Sequence, residues 1–253
     1  MAVVVAYKYA ANPQDASVGA DGVVDWSRTK ATVSEYDPVA IQLGRNVADA
    51  AGTEVVGISV GGAVVATSMA KKSAMSKGFD RGIVVADDAT AGWNTTKTAS
   101  ALASLVRSVE GADLVITGDA SIDDGTRMTS PLIAGFLGWP CFQDVTGVEK
   151  TDEGYTITQM IDGGSRTIEI SGPVVVATTP DAVTPKLPSM KELLAAGKKP
   201  VAVVSADELE LVEAAVAVTG HAKPAATIRK NQVFTGVDAA AQLVAALRGD
   251  GVL

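Results

Sequence analysis

Apolar runs alternate with segments of helical periodicity over the first 140 residues of the chain. The runs that predict buried strands are Ala2–Tyr7, Glu54–Val60, Gly82–Ala86 and Ala112–Thr117. Between them, the apolar positions from Ala40 to Ala50 and from Thr95 to Val109 recur on one face of a helix. Residues 8–33 carry no such pattern and are predicted to form a polar loop. Repeated strand–helix units predict an α/β fold with a doubly wound, mostly parallel sheet.

The pattern changes after Trp139-Pro140. Short β-type runs at 142–150, 154–160 and 165–170 are separated by turn sequences that contain Gly. Such runs predict antiparallel strands that are added to one edge of the sheet. An apolar strand at Pro173–Ala177 then follows.

The C-terminal part of the chain begins with a short helix that ends near Gly197 and continues through a strand, loops and a last helix near Ala239–Arg248. It has few large apolar side chains, so it is not expected to form a core of its own. We therefore predict an α/β domain at 1–199 and a C-terminal arm at 200–253 that packs on another chain.

The segment from Gly118 to Ser130 follows the fourth predicted parallel strand and leads into a helix of small residues. Ligands of open α/β sheets lie at the carboxyl ends of the strands, where a helix amino end favours an anion. The backbone N–H groups near Gly125–Ser130, with the hydroxyls of Thr126, Thr129 and Ser130, are therefore candidates for binding a phosphate. An ordinary strand-to-helix loop is the alternative.

Other polar and small residues around this loop have two readings each. Asp123 and Asp124 are expected to contact a ribose or adenine, or only to fix the turn. A small residue at Ala6, where the first strand ends, either lets an adenine ring lie on the sheet or belongs to the core. Asp37 before Pro38 either caps a helix or contacts a ligand.

Charge and residue inventory exclude several functions. The net charge is −8, and the Lys and Arg residues form no cluster large enough to follow a nucleic-acid backbone, so no nucleic-acid partner is expected. One Cys and one His (His221) leave neither a Cys/His metal site nor a Ser–His–Asp triad, so we predict no metal and no catalytic residue. No apolar run reaches the ~18 residues that span a bilayer. A cytoplasmic location without membrane insertion is expected.

Several motifs together resemble one family. They are Ser59-Val60-Gly61, Gly78-Phe-Asp-Arg81, Ile122-Asp-Asp124, Ala134-Gly-Phe-Leu-Gly-Trp-Pro140 and Asp162-Gly-Gly164. With these residues the chain resembles the small (beta) subunit of electron-transfer flavoproteins, including the FixA-type members. The resemblance implies an adenine-nucleotide-hydrolase-like fold without hydrolase activity, and an electron carrier rather than a catalyst in its own right.

The resemblance also implies two cofactors. A larger alpha subunit would hold the redox FAD in a heterodimer, while this chain would bury AMP. Carried over by position, the residues implied to bind that nucleotide are Ala6, Ser34, Glu35, Tyr36, Asp37, Val60, Asp123, Thr126, Arg127, Met128, Thr129, Ser130 and Ala134.

Members of this family dock on partners of the acyl-CoA dehydrogenase type, or on other flavin redox proteins, through one apolar side chain. The matching segment here begins at Pro185, and by position Met190 is the anchor, with Leu187 and Leu193 beside it. A methionine suits an apolar pocket of variable shape. The alternative is that Met190 only packs the short helix.

Some positions depart from the family pattern. Asp119 stands where Lys is usual, Met128 where Gln is usual and Ser130 where Gly is usual. The change at 119 removes a positive charge from the expected pocket. Lys186-Leu187 replaces the usual Arg-Tyr and indicates an altered partner surface. The chain therefore resembles a divergent paralogue.

Two other functions stay open. In electron-bifurcating members of the family, the same pocket holds a second FAD that exchanges hydride with NADH. A stand-alone adenine-nucleotide sensor of the universal-stress type would use the same fold and loop without redox work. The long C-terminal arm, which is poor in core residues, argues against a stand-alone protein.

Overall fold

The computed structural model describes residues 1–214, 216, 219 and 225–253, and His221 lies outside these ranges. The strands are β1 (Ala2–Ala6), β2 (Tyr9–Ala11), β3 (Ser17–Val18), β4 (Val24–Asp25), β5 (Ala31–Val33), β6 (Val55–Gly61), β7 (Arg81–Ala86), β8 (Ala112–Gly118), β9 (Cys141–Lys150), β10 (Gly154–Ile161), β11 (Gly164–Ser171), β12 (Val174–Thr178) and β13 (Val201–Val204). The α-helices are α1 (Asp37–Ala51), α2 (Ser68–Met75), α3 (Thr95–Arg107), α4 (Thr129–Leu137), α5 (Met190–Ala196) and α6 (Ala239–Gly249). None of the helices in the described ranges is long and apolar enough to cross a bilayer.

Nine strands form one sheet in the order β11-β10-β9-β12-β8-β1-β6-β7-β13. Every neighbouring pair from β9–β12 to β7–β13 is parallel, whereas β9, β10 and β11 pair antiparallel. The predicted doubly wound, mostly parallel sheet and its antiparallel edge extension are therefore confirmed.

Side chains of β1 alternate between two helix layers, as the period of a strand requires. Val3 and Val5 pack in the cluster that contains Ile41 of α1 and Met75 of α2. Val4 and Ala6 pack in a second cluster on the opposite face of the sheet, with residues of α3 and α4. Because both faces are covered, the parallel strands consist of continuous apolar residues, which is why the sequence shows them clearly.

The prediction of a loop over residues 8–33 was wrong in part. β2 pairs with β5, and β3 pairs with β4, in two short antiparallel ladders. These strands have only two or three residues each, which is too short for alternation to be visible. The ladder of β2 and β5 begins at Tyr9, shortly after β1 ends at Ala6.

The C-terminal part of the chain divides between two compact units, Met1–Val218 and Thr219–Leu253. β13 pairs with β7 as the outermost strand of the main sheet. In the second unit, α6 is followed by Asp250, whose carboxylate accepts a hydrogen bond from Lys230. The packing of residues 200–253 on a partner chain stays a prediction.

Candidate functional site

A cavity of about 530 Å³ lies at the carboxyl ends of three neighbouring parallel strands. Ala6 ends β1, Val60 and Gly61 end β6, and Thr117 and Gly118 end β8, and all of them line the cavity. Its volume is in the range of about 300–1,000 Å³ that is usual for small-molecule sites. The cavity therefore has both the place and the size that an open α/β sheet offers a ligand.

The loop between β8 and α4, residues 119–128, forms one side of this cavity, and we call it the ligand loop. Asp123, Thr126 and Arg127 of the loop line it, together with Thr129 and Ser130 in the first turn of α4. The N-cap residue Met128 makes no side-chain hydrogen bond to the helix within the described part of the chain. The first amide groups of α4 and the positive end of its dipole therefore face a site where an anion would be stabilised.

Asp37 lies at the floor of the cavity, and its role differs from that of a helix cap. α1 begins at Asp37 itself, with Tyr36 as N-cap, and the Asp37 carboxylate accepts a hydrogen bond from the backbone N–H of Lys8 at 2.6 Å. The capping alternative was therefore wrong. Burial raises the pKa of Asp37 to about 7, although the hydrogen bond and charge of Lys8 act in the opposite direction.

The side chain of Lys8 lines the cavity and contacts the ligand loop. Its Nζ lies 2.7 Å from Oδ2 of Asp123. Burial acts to raise the pKa of Asp123, but the hydrogen bond and positive charge of Lys8 outweigh it, and the net pKa is lowered. Asp123 is therefore held as a carboxylate that can accept hydrogen bonds from hydroxyl groups.

The approach of Gly118 to α1 fixes the depth of the cavity on this side. A Cβ atom at Gly118 would lie 2.9 Å from Oδ1 of Asp37 and 3.0 Å from Cβ of Tyr36. Only a residue without a side chain allows β8 to end this close to the start of α1. Gly61, the last residue of β6, is similar, since a Cβ there would lie 2.6 Å from Cγ2 of Val65. Packing thus accounts for Gly61, even though it also lines the cavity.

Five of the predicted nucleotide-binding residues do not line the cavity. Ser34 and Glu35 line a small adjoining hollow that shares Lys8 and Asp123 with it. Tyr36 packs behind Gly118, Ala134 is buried in α4, and Met128 is 49% exposed beside the cavity. The other eight, which are Ala6, Asp37, Val60, Asp123, Thr126, Arg127, Thr129 and Ser130, are brought together around it. Ligand contact stays a prediction for all thirteen.

Sequence reasoning missed the opposite side of the cavity. Thr90, Trp93, Thr95 and Thr98 follow β7 and line the cavity, as does the buried Tyr9. The ammonium group of Lys97 lies 5.0 Å from the ring centroid of Trp93, a distance at which a cation and an aromatic ring attract each other. The rule that ligands lie at the carboxyl ends of strands applies to β7 as well and could have identified these residues.

The predicted partner-binding segment forms the start of α5. Ser189 and Glu192 make a capping box, in which the Glu192 carboxylate accepts the Ser189 backbone N–H at 2.7 Å. Leu187 is 88% exposed and Met190 is 73% exposed, whereas Leu193 is half-buried. Met190 therefore does not pack the short helix, which removes the alternative explanation.

The fold and cavity define a class of protein: an α/β protein with a small-molecule site at the carboxyl ends of its parallel strands. A family model described as the electron transfer flavoprotein domain matches residues 21–209, which is well over half of the chain. The chain therefore belongs to the electron transfer flavoprotein family, as its motifs predicted.

Proposed function

We propose that this chain is the beta-type, small subunit of an electron transfer flavoprotein and that its cavity holds AMP. In this function it pairs with a larger alpha subunit that holds most of the contacts to FAD. The heterodimer carries electrons from dehydrogenases to a respiratory or reductase acceptor. Family membership supports the electron-transfer role, and the cavity supports the nucleotide.

The observation that carries the proposal is that apolar residues and hydroxyl groups lie in different parts of the cavity lining. Ala6 and Val60 give apolar surface at the strand ends, which would suit an adenine ring. Thr126, Thr129 and Ser130 bring hydroxyl groups to the amino end of α4, where a phosphate is stabilised. The Asp123 carboxylate also lines the cavity and would suit ribose hydroxyls.

The side chains of this subunit bind and orient; they form no bond with the substrate. The flavin, when bound in the partner subunit, supplies the electron-transfer chemistry. AMP in this chain would connect β1, β6 and α4 across the cavity and so stiffen the surface that the alpha subunit covers. The exposed apolar residues Leu187 and Met190, with Leu193, would form the contact with an acyl-CoA dehydrogenase-type partner.

The test is to co-express the chain with the large subunit from the same gene neighbourhood, denature the purified heterodimer and quantify both nucleotides. One FAD and one AMP per heterodimer are expected. A stable heterodimer that contains no flavin under any preparation would contradict the electron-transfer role. FAD without AMP would contradict only the proposal for the cavity.

A second candidate is an electron-bifurcating subunit in which the cavity holds its own FAD. The observation that favours it is the far side of the cavity, where Trp93, Thr95 and Thr98 offer an aromatic ring and hydroxyl groups beyond the space near the ligand loop. Two FAD and no AMP per heterodimer, with flavin loss from this chain in Trp93→Ala, would establish this alternative and exclude AMP.

A further inference from the structure

We propose that Arg127 selects for a phosphate group in this cavity and that Asp144 competes with the phosphate for its guanidinium group. The inference rests on the proposed function, since it concerns how the nucleotide cavity recognises its ligand. It assigns a role in ligand selection to an ion-pair triad at the cavity wall.

The triad is a compact arrangement with one cation and two carboxylates. Nη2 of Arg127 lies 2.6 Å from Oδ1 of Asp119, and the same nitrogen binds Oδ1 of Asp144. Arg127 and Asp119 both line the cavity, whereas Asp144 belongs to β9. The Asp119 side chain is 14% exposed and that of Asp144 is 47% exposed. Asp144 is thus the partner that solvent or a ligand replaces more easily.

The backbone is shaped to place this triad. Arg127 and Asp144 both have left-handed backbone conformations, with φ of 54° and 56°. Residues other than glycine seldom adopt this region, and such residues concentrate at ligand-binding sites. The carbonyl of Arg127 also accepts a hydrogen bond from Nε2 of Gln143 at 2.8 Å. Because the backbone is anchored, the guanidinium group can exchange partners while the loop stays in place.

The charges around the cavity assign the phosphate contact to Arg127. The ionisable carboxylates in the described lining are Asp37, Asp119, Asp123 and Asp124, and the cations are Lys8 and Arg127. Lys8 is bound to Asp123, and its single ammonium group cannot match two oxygens of a phosphate in a plane. The guanidinium of Arg127 has five donors, so it can keep Asp119 and still bind two phosphate oxygens.

The position of Arg127 along the chain adds a second source of attraction. Arg127 is two residues before Thr129, where α4 begins. Arg127 and the first residues of α4 therefore line the same end of the cavity, so an anion bound there could interact with both. A nucleoside without phosphate has no anionic group that could replace a carboxylate at Arg127. With such a ligand, Arg127 keeps its ion pairs with Asp119 and Asp144.

Calorimetric titration of the full chain with AMP and with adenosine tests the inference. In Arg127→Gln, AMP should bind about tenfold or more weakly, because a charged hydrogen-bonding pair is lost, while adenosine affinity stays the same. In Asp144→Asn, AMP should bind severalfold more tightly, because a competing carboxylate is removed. Arg28→Gln, which makes the same charge change at an exposed residue outside the cavity lining, is the matched control and should leave both affinities unchanged.

A triple variant distinguishes loss of the contact between Arg127 and the phosphate from a change in the net charge of the cavity wall. Arg127→Gln combined with Asp119→Asn and Asp144→Asn leaves no unpaired carboxylate behind, so AMP should still lose its advantage over adenosine. Recovery of AMP affinity in this variant, or wild-type AMP affinity in Arg127→Gln, would overturn the inference and leave the AMP cavity standing. Absence of binding of both ligands to the wild-type protein would instead overturn the proposed cavity, and the role of Arg127 with it.

Discussion

The backbone N–H of Lys8 donates to the carboxylate of Asp37 across 2.6 Å, which joins the end of β1 to the start of α1. The side chain of the same lysine binds Asp123 of the ligand loop. Lys8 therefore links three separate parts of the chain at the floor of the cavity. A disturbance at any of these three residues is expected to change the stability of the fold as well as the site.

The free energy of unfolding should decrease as the pH rises, because the folded protein binds the proton on Asp37 more tightly than the unfolded chain does. This carboxyl is buried beside Lys8, Asp123, Lys77 and Tyr7, and burial raises its pKa from 3.8 in a free chain to about 7. Between these values the folded protein keeps a proton that the unfolded chain has released. The free energy of unfolding therefore decreases with pH over this window, by at most about 1.4 kcal/mol per pH unit, and levels off above it.

Asp37→Asn is the variant that tests this. The amide oxygen of Asn still accepts a hydrogen bond from the Lys8 N–H, but the side chain does not titrate. The free energy of unfolding should therefore depend less on pH between pH 5 and pH 7. Urea unfolding at several pH values measures it, and Asp152→Asn, in the exposed turn between β9 and β10, is the control. A slope in Asp37→Asn equal to that of the wild type would show that Asp37 does not cause it.

Gly118→Ala should destabilise the protein by about 1–3 kcal/mol, because the new methyl group overpacks a filled space. It would meet Asp37 and Tyr36 at 3.0 Å or less. Gly135→Ala is the matched change, since Gly135 lies within α4 and a Cβ there meets no atom of the described residues within 4 Å, apart from its own stretch of helix. That variant should gain up to about 1 kcal/mol from helix propensity. Equal effects of the two substitutions on urea unfolding would refute the close approach at Gly118.

Met190→Ala should weaken docking of the partner dehydrogenase about tenfold, since a buried apolar anchor contributes a large share of binding energy. Steady-state reduction of the heterodimer by the dehydrogenase measures this as a rise in KM with little change in kcat. Met69→Ala is a close control, because Met69 in α2 and Met190 in α5 are both 73% exposed. If both variants change KM alike, the start of α5 is not a dedicated docking site.

Phe79→Ala should cost about 3–5 kcal/mol of stability, as is usual for the loss of a buried aromatic ring. Phe79 is fully buried, and its ring centroid lies 5.2 Å from that of Tyr7, which lines the cavity. Phe79→Leu, which fills most of the volume, should cost much less. Thermal unfolding of the two variants compares them, and a small loss in Phe79→Ala would mean that the core collapses around the missing ring.

The strands of the parallel sheet could be predicted because each consists of apolar residues that are buried on both faces. The short ladders of β2 with β5 and β3 with β4 could not, since pairing between distant segments decides them. β13 shows a mixed result: a strand was predicted in the C-terminal part of the chain without bounds, and nothing in Val201–Val204 indicates that this segment pairs with β7.

The site follows the same division. The ligand loop after β8 was predicted from its place at a strand end, and the structure puts it on the cavity. The pairing of Arg127 with Asp119 was not predicted, because it depends on a left-handed turn at Arg127 that local sequence does not reveal. The same loop thus supplies both the carboxylate at 119 and the cation at 127 that pairs with it.

The place of β13 has a consequence for the synthesis of the protein. β7 is complete at Ala86, but its outer neighbour β13 begins only at Val201, so more than one hundred residues are synthesised between the two strands. Until then, the apolar strand Arg81–Ala86 has an open edge with unpaired backbone groups. A nascent or truncated chain that stops before residue 201 is consequently exposed to edge-to-edge aggregation, whereas the finished chain covers that edge with its own strand.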